Sequence, residues 1–394
     1  MNFDVSWILL GLPLAFVLGW LASRMDVRQM RLENRQAPKA YFKGLNFLLN
    51  EQQDQAIDAF IEAMQNDPDT AELHFALGNL FRRRGEYLRA VRVHDHLLQR
   101  ADLSLADRQR AQYGLAQDYL KAGLLDRAED ALRRLEDTPY AAYAHLALLG
   151  IYERARDWPQ AAAIVQTMQA QGQGDFSARL AHYLCEQAQA LIQQNQLTQA
   201  QALLEQAVAS APEAPRPRQD LARVYYRLEQ IDAAWQQLEQ LAQHAPQALA
   251  LALPLLLEMA QATQREGVAV ALLRQRYAQA PALDVLLALV QLGADPQGEG
   301  CARCPPENAP ACSQQWLLRH LEREPSLIVA QQWLSQPSTG LQLPTPVAQA
   351  LEHAARPLMR YRCAACGFEA RQHFWHCPGC QSWDSYPARR VEEL

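Results

Sequence analysis

LGNLFRRRGEYLRA (77–90), LAQDYLKAGLLDRA (115–128) and LARVYYRLEQIDAA (221–234) are three versions of one pattern. Each ends on alanine, with a large aromatic residue nine positions earlier and a small residue twelve positions earlier. The alanine recurs as Ala56, Ala90, Ala128, Ala161, Ala200 and Ala234, at spacings of 34, 38, 33, 39 and 34 residues. Phe47, Phe81, Tyr119, Tyr152, Leu191 and Tyr225 fill the large position, and Gly44, Gly78, Ala116, Ala188 and Ala222 the small one. Pro68, Pro212 and Pro246 follow their alanines by twelve residues, where a helix has to end. Apolar residues recur at helical intervals throughout 37–280, and strand-like alternation is absent.

A period near 34 residues with small residues at fixed offsets is that of the tetratricopeptide repeat, a helix hairpin. One hairpin cannot bury its own apolar face, so stacked hairpins share a continuous core and leave a concave groove. Six repeats are read in 37–280, with 247–280 a degenerate seventh that carries Val268 at the alanine position. A generic helical bundle accounts for the helices but not for their common register. Such grooves usually hold a peptide or another protein. In the second repeat the groove-facing helix is expected to present Phe75, Asn79, Arg82 and Arg83. The run Arg82–Arg84 cannot all pair locally, which points to an acidic partner segment; a solvated charged face is the plainer alternative. His74, His94, His96 and His145 sit on repeat helices without an evident carboxylate or cysteine partner and read as packed or solvated.

Beyond the array, GADPQGEGCARCPPENAPAC (293–312) reads as a Gly/Pro-rich loop, and short helices follow to about residue 358. Then come two Cys-x-x-Cys knuckles, Cys363/Cys366 and Cys377/Cys380, ten residues apart. Four thiolates so spaced suit one tetrahedral ion, with Zn–S bonds of about 2.3 Å; zinc is the expected ion and iron the alternative. Gly367, directly after the second cysteine, suits a turn with positive φ. A module of about thirty residues buries too little apolar surface to fold alone, so a metal would supply most of its folding free energy. Its aromatic residues Tyr361, Phe368, Phe374, Trp375, Trp383 and Tyr386 exceed what it can bury internally, which predicts packing against the repeats. His373 and His376 are the alternative ligands. Cys301, Cys304 and Cys312 offer three further thiols, with His320 a candidate fourth donor. No second knuckle completes that set, so they read as unligated, and Cys185 reads as a small core residue.

The run Val5–Ala22, VSWILLGLPLAFVLGWLA, carries no charge. As a helix it spans about 27 Å, close to a hydrocarbon core of about 30 Å. Trp7 and Trp20 lie near its ends, at the level of a membrane interface. A cleaved signal peptide is the competing reading, but the preceding segment holds Asp4 and no Lys or Arg. Arg24, Arg28, Arg31 and Arg35 follow the run, which orients the remaining chain toward the cytoplasm. Their helical spacing forms a basic stripe for anionic headgroups, unless it is a solvated face.

The net charge of −6 argues against broad electrostatic binding to nucleic acid, and the cysteine usage suits a reducing compartment. There is no Gly-Lys dipeptide and hence no Walker A loop, and no HExxH, GxSxG or dinucleotide glycine fingerprint. A site closed by four thiolates has no open position for an activated water, so it reads as structural and the chain as no enzyme.

With anchor, repeats and knuckles placed, the chain resembles the lipopolysaccharide assembly protein B (LapB, YciM) family. The most specific match is RYRCAACGF (360–368) with WHCPGCQSW (375–383), which looks like that family's rubredoxin-type carboxy-terminal module. GLNFLLNEQQDQAID (44–58), AGLLDRAED (122–130) and AHYLCEQA (181–188) are similar to further family blocks. The resemblance makes Cys363, Cys366, Cys377 and Cys380 the metal ligands and leaves the loop cysteines outside the pattern. It implies an inner-membrane adaptor, single-pass and facing the cytoplasm, that regulates lipopolysaccharide biosynthesis. Such an adaptor promotes proteolysis of the LpxC deacetylase by the membrane AAA+ protease FtsH, under a membrane antagonist, YejM/PbgA.

The fold class is thus expected to be all-α, an amino-terminal transmembrane helix and a tetratricopeptide superhelix followed by a small rubredoxin-like four-cysteine module. The divisions are an anchor at 1–23, a basic linker at 24–36, the array at 37–280, helices at 281–358 and the metal module at 359–394. A homodimer is compatible with the sequence. Two rival functions stand beside the adaptor, a rubredoxin-like electron-transfer protein and a zinc-ribbon nucleic-acid binder.

Overall fold

A computed structural model describes residues 16, 17, 19, 20, 42–47, 49, 50, 52–66, 70–300, 302–336 and 343–394. Among them no helix is long and apolar enough to cross a membrane. Most of the anchor run Val5–Ala22, and all of Arg24, Arg28, Arg31 and Arg35, lie outside the described residues. The chain forms two compact units, one ending at Asp157 and one beginning at Trp158.

In the first unit, helical residues 42–47 precede α1 (Gln53–Asn66), α2 (Ala71–Arg84), α3 (Tyr87–Gln99), α4 (Leu105–Ala122), α5 (Leu125–Arg133) and α6 (Ala141–Ala155). Consecutive helices pair as hairpins, and Ala56, Ala90 and Ala128, the pattern alanines, are fully buried. Gly85 (φ 85°) and Gly123 (φ 74°) end α2 and α4 in the left-handed conformation, where their backbone N–H groups satisfy carbonyls of the last turn. Ser104 begins α4 by accepting from the backbone N–H of Asp107 at 3.1 Å.

One polar cluster crosses this core. His94 Nδ1 lies 2.6 Å from Asp118 Oδ2, and both side chains are shut from solvent. Arg82 donates to the other Asp118 oxygen at 2.9 Å and to the Gly114 carbonyl at 3.1 Å. Gly78 makes room for the imidazole, since a Cβ there would stand 2.5 Å from His94 Cε1. The expectation that His94 lacks a carboxylate partner is therefore overturned: its partner sits 24 residues away on α4, beyond the reach of a local reading.

The second unit runs through α7 (Trp158–Ala170), α8 (Ser177–Gln193), α9 (Leu197–Ser210), α10 (Pro215–Arg227), α11 (Ile231–His244), α12 (Leu249–Ala262), α13 (Glu266–Gln279) and α14 (Leu283–Gln291). After the loop come α15 (Ala309–Leu321), α16 (Leu327–Leu334) and α17 (Thr345–Ala355). Ala161, Ala200 and Ala234 are again fully buried. The degenerate seventh repeat corrects the reading. Val268 is 45% exposed, and Ala269 is the buried small residue. The backbone agrees, because the left-handed residue stands five before each alanine: Gly85, Gly123, Arg156, Asn195, Glu229 and Gln264. Gln264 fixes Ala269, not Val268, as the sixth of these partners.

The Gly/Pro-rich loop is built into the fold. Arg274 donates to the carbonyls of Asp295, Gly298 and Ala302, while Trp316 Nε1 donates to Ala294 O at 2.9 Å and Arg319 to Pro296 O at 2.8 Å. At the far end, Glu392 accepts from Ser326 Oγ and from the backbone N–H groups of Leu327 and Ile328, the start of α16. Glu393 accepts from Leu283 N at 2.9 Å, the start of α14. The tail thus caps two helices of the unit from a distance.

Candidate metal centre

A two-stranded antiparallel ribbon, β1 (Tyr361–Arg362) and β2 (Glu369–Ala370), carries the first knuckle. Cys363 N donates to Phe368 O and Gly367 N to Cys363 O, both at 2.9 Å, with Gly367 at φ 77° as the sequence predicts. The second knuckle repeats the turn: Gln381 N donates to Cys377 O at 2.9 Å, and Gln381 takes the left-handed place (φ 59°) that Gly367 holds in the first.

The turns bring the four sulfurs into one cluster, Cys363 and Cys380 at 3.8 Å and Cys366 and Cys377 at 3.7 Å. Four thiolates at about 2.3 Å from one tetrahedral ion stand about 3.8 Å apart, so the donor set fits such an ion. Gly379 N donates to Cys377 Sγ at 3.4 Å, and the hydroxyls of Ser385 and Ser382 lie 3.3 Å from Cys363 and Cys380. Burial pushes the Cys363 thiol up, but Ser385 and the backbone N–H groups of Cys366 and Ala365 outweigh it and bring it down to about 6. The Cys366 thiol gains a backbone N–H from Phe368, yet burial and the sulfurs of Cys363, Cys380 and Cys377 push it up to about 12. Four anionic sulfurs so close need a cation among them, which is the chemistry of a structural metal ion.

The histidine alternatives do not turn toward the sulfurs. His373 Nε2 bonds the Tyr386 carbonyl at 3.0 Å, and burial holds its pKa below the ordinary value. His376 stacks on Trp383 with centroids 4.3 Å apart. Cys363 and Cys377 are buried, whereas Cys366 and Cys380 reach the surface.

The module packs on the repeats of its own unit. Trp383 stacks on His182 of α8 at 4.7 Å, and Asp384 bonds His182 Nε2 at 2.7 Å. Trp158 and Tyr183 meet Trp383 edge-on. Beneath lies a buried charge cluster in which Arg216 pairs with Glu186 at 2.7 Å and with Asp220 at 3.4 Å. Arg390 lies over the Tyr361 ring at 4.1 Å and pairs with Asp284 at 2.9 Å. Packing of the aromatic residues on the repeats is as the sequence predicts; the charge pairs of the seam are not legible there, because charges that meet across 202 or 106 residues leave no local signal.

Residues 361–386 match the family model described as a rubredoxin metal binding domain. Residues 43–102, 113–176 and 191–256 match tetratricopeptide repeat models. Lipopolysaccharide assembly protein B of Escherichia coli (strain K12) is 28% identical over 396 residues, covering 98% of this chain and 99% of that protein. The chain is thus similar to lipopolysaccharide assembly protein B along nearly its whole length, repeats and knuckles included. The lipopolysaccharide assembly protein B of Haemophilus influenzae is 26% identical, with 97% of each chain covered. A solved structure, Naa15/Naa10 bound to HypK-THB, is 14% identical and covers 82% of this chain and 47% of that one, at a TM-score of 0.47.

Three of the four residues expected to face a partner are placed otherwise. Phe75 is 2% exposed, packed with Leu97 and Ala111 under the Arg110 guanidinium, so it is core rather than groove surface. Arg82 is spent on Asp118, and Asn79 accepts from Arg82. Arg84 pairs with Asp54 and Glu86, which leaves Arg83 as the exposed residue of the expected four. The loop cysteines differ from the sequence reading as well. Cys304 and Cys312 are joined by a disulfide, Asp295 approaches them, and His320 is buried against the Tyr277 hydroxyl at 2.8 Å. Cys301 lies outside the described residues.

Proposed function

We propose that the chain is a membrane-tethered adaptor of lipopolysaccharide assembly that has no chemistry of its own. It faces the cytoplasm from the inner membrane and promotes FtsH-mediated proteolysis of the LpxC deacetylase, under a YejM/PbgA-type antagonist near the anchor. The supporting observation is the extent of the likeness to lipopolysaccharide assembly protein B, which runs over 98% of this chain and so includes repeats and knuckles together. The physical logic is proximity. A tether confines the scaffold to the protease's membrane and raises effective concentration, so weak contacts with a substrate suffice. The anchor at 1–23, the basic linker with Arg24, Arg28, Arg31 and Arg35 on headgroups, and Arg83 toward an acidic partner belong to the same proposal. Cys363, Cys366, Cys377 and Cys380 would hold the ion, whose bound charge keeps the knuckles folded and the module seated on α8.

The test is a depletion strain in which LpxC is followed by immunoblot and complemented with the full chain, with residues 25–394, or with Cys377→Ser/Cys380→Ser. Depletion should raise LpxC, the full chain should restore it, and both variants should fail. Unchanged LpxC on depletion defeats the assignment; normal turnover without bound metal defeats the structural role of the ion. A second reading, electron transfer through iron, draws on the surface position of Cys366 and Cys380. It requires a reversible iron couple in protein taken from its native host.

A further inference from the structure

We propose that Cys304 and Cys312 form a reversible oxidation site, closed to a disulfide by a peroxide and reopened by a dithiol reductant. The backbone is placed for the bond, since the two Cα atoms are 6.6 Å apart, inside the range of about 4.4–6.8 Å that disulfides occupy. Both ends are held there. Cys304 N donates to Gly293 O at 2.8 Å, beside the Ala294–Arg303 bridge, and Cys312 sits in the opening turn of α15. The contrast with the knuckles is informative. Those four sulfurs lie within 4.8 Å of one another, two pairs at 3.7 and 3.8 Å, as around an ion, whereas this pair is bonded and has only Asp295 as a further donor among the described residues.

The environment also suits redox chemistry. Cys312 is half-buried at the positive end of a thirteen-residue helix, which favours the thiolate, the form that peroxides attack. The Cys312 thiolate takes one peroxide oxygen as the O–O bond breaks, giving a sulfenic acid and, after protonation, water. Cys304 then attacks that sulfur and displaces a second water, so two thiols and one hydrogen peroxide yield a disulfide and two waters. Exchange with a dithiol returns both thiols. In a reducing compartment such bonds are transient and sensing rather than permanent. Closure ties the loop to the helix that carries Trp316 and Arg319, whose side chains already hold loop carbonyls. Opening removes the covalent tie between this helix and the segment around Arg303, which is exposed and keeps its noncovalent bonds to residues 292–294 and Glu266.

The test uses the full metal-loaded chain, with Cys304→Ser and Cys312→Ser as controls. After hydrogen peroxide and then iodoacetamide, peptide mass spectrometry should find a 304–312 cross-link that dithiothreitol removes. Trypsin should cut after Arg303 about fivefold faster in the reduced chain, a difference that both variants abolish. Equal alkylation of both thiols before and after peroxide overturns the proposal. So does cleavage at Arg303 that ignores the redox state, or a second metal equivalent that is lost in Cys304→Ser.

Discussion

Replacing Glu392 with alanine tests whether the tail is a structural part of the second unit. Its carboxylate accepts from Ser326 Oγ at 2.6 Å, Leu327 N at 2.5 Å and Ile328 N at 3.1 Å. The two backbone groups are among the first N–H groups of α16, which no intrahelical carbonyl can serve. Ser326 covers a third by accepting from Val329 N at 3.0 Å. Losing a cap of this kind costs about 0.5–2 kcal/mol, and losing an anion from a helix N-terminus adds about 0.3–1 kcal/mol. The helix at stake bears Ile328 and Val329, both in the main apolar core, so fraying reaches beyond the surface. We expect Glu392→Ala to lose about 2 kcal/mol, or about 4–8 °C in Tm for a body of this size. Glu392→Gln keeps an acceptor without the charge and should lose about half as much. Urea unfolding of the full chain, followed by circular dichroism, reads both numbers. A Glu392→Ala unfolding free energy within about 0.3 kcal/mol of the parent, at unchanged slope, would refute the reasoning.

Three further outcomes follow from the packing. Arg156, Glu229 and Gln264 hold the left-handed position that Gly85 and Gly123 hold elsewhere, so glycine at each should raise the unfolding free energy from urea denaturation by about 0.5–1 kcal/mol. Gly78→Ala should lose about 1–3 kcal/mol in urea unfolding, because the new Cβ meets His94 Cε1 at 2.5 Å and Asp118 prevents the ring from retreating. Burial lowers the His320 pKa below 6.5, so the unfolded chain takes up that proton first as pH falls. The contribution is intact above about pH 6.5 and is lost on acidification; a stability–pH series should be less steep below 6.5 for His320→Asn than for the parent.

How far the sequence carried depended on whether the governing contact is local. The six pattern alanines report a constraint inside one hairpin, the closest approach of its two helices, and all six are fully buried. The four cysteines are legible for the same reason, since each knuckle is closed by its own turn. The seventh repeat went astray by one residue because spacing alone was extended past the last clear alanine. The sign that would have corrected it is geometric, a left-handed residue five positions earlier, and glycine marks that place only at Gly85 and Gly123. With arginine, asparagine, glutamate or glutamine there, the strain is invisible in the letters.

The misplacement of Phe75 and Arg82 has a different cause. A helical wheel separates faces, but it does not say which face meets the groove and which meets the next hairpin. Phe75 packs on Leu97 and Ala111 of neighbouring helices, and Arg82 reaches Asp118 across 36 residues, so both belong to hairpin–hairpin packing. The reading assumed that three adjacent arginines must exceed the local supply of carboxylates. That supply is set by the stack rather than by the segment, since Asp54, Glu86 and Asp118 come from three different places in the chain. The same logic governs the module. His182, Glu186, Arg216 and Asp220 are ordinary repeat residues by spacing, yet together they form the polar floor under Trp383 and Asp384. In a stacked-hairpin protein, then, the register is written in each repeat, while the functional surface is what remains after neighbouring repeats have taken their share of the charges. On that accounting Arg83 is exposed on α2 beside two arginines already engaged with carboxylates from other parts of the chain, which is why it alone of the expected four stays in the proposed partner surface.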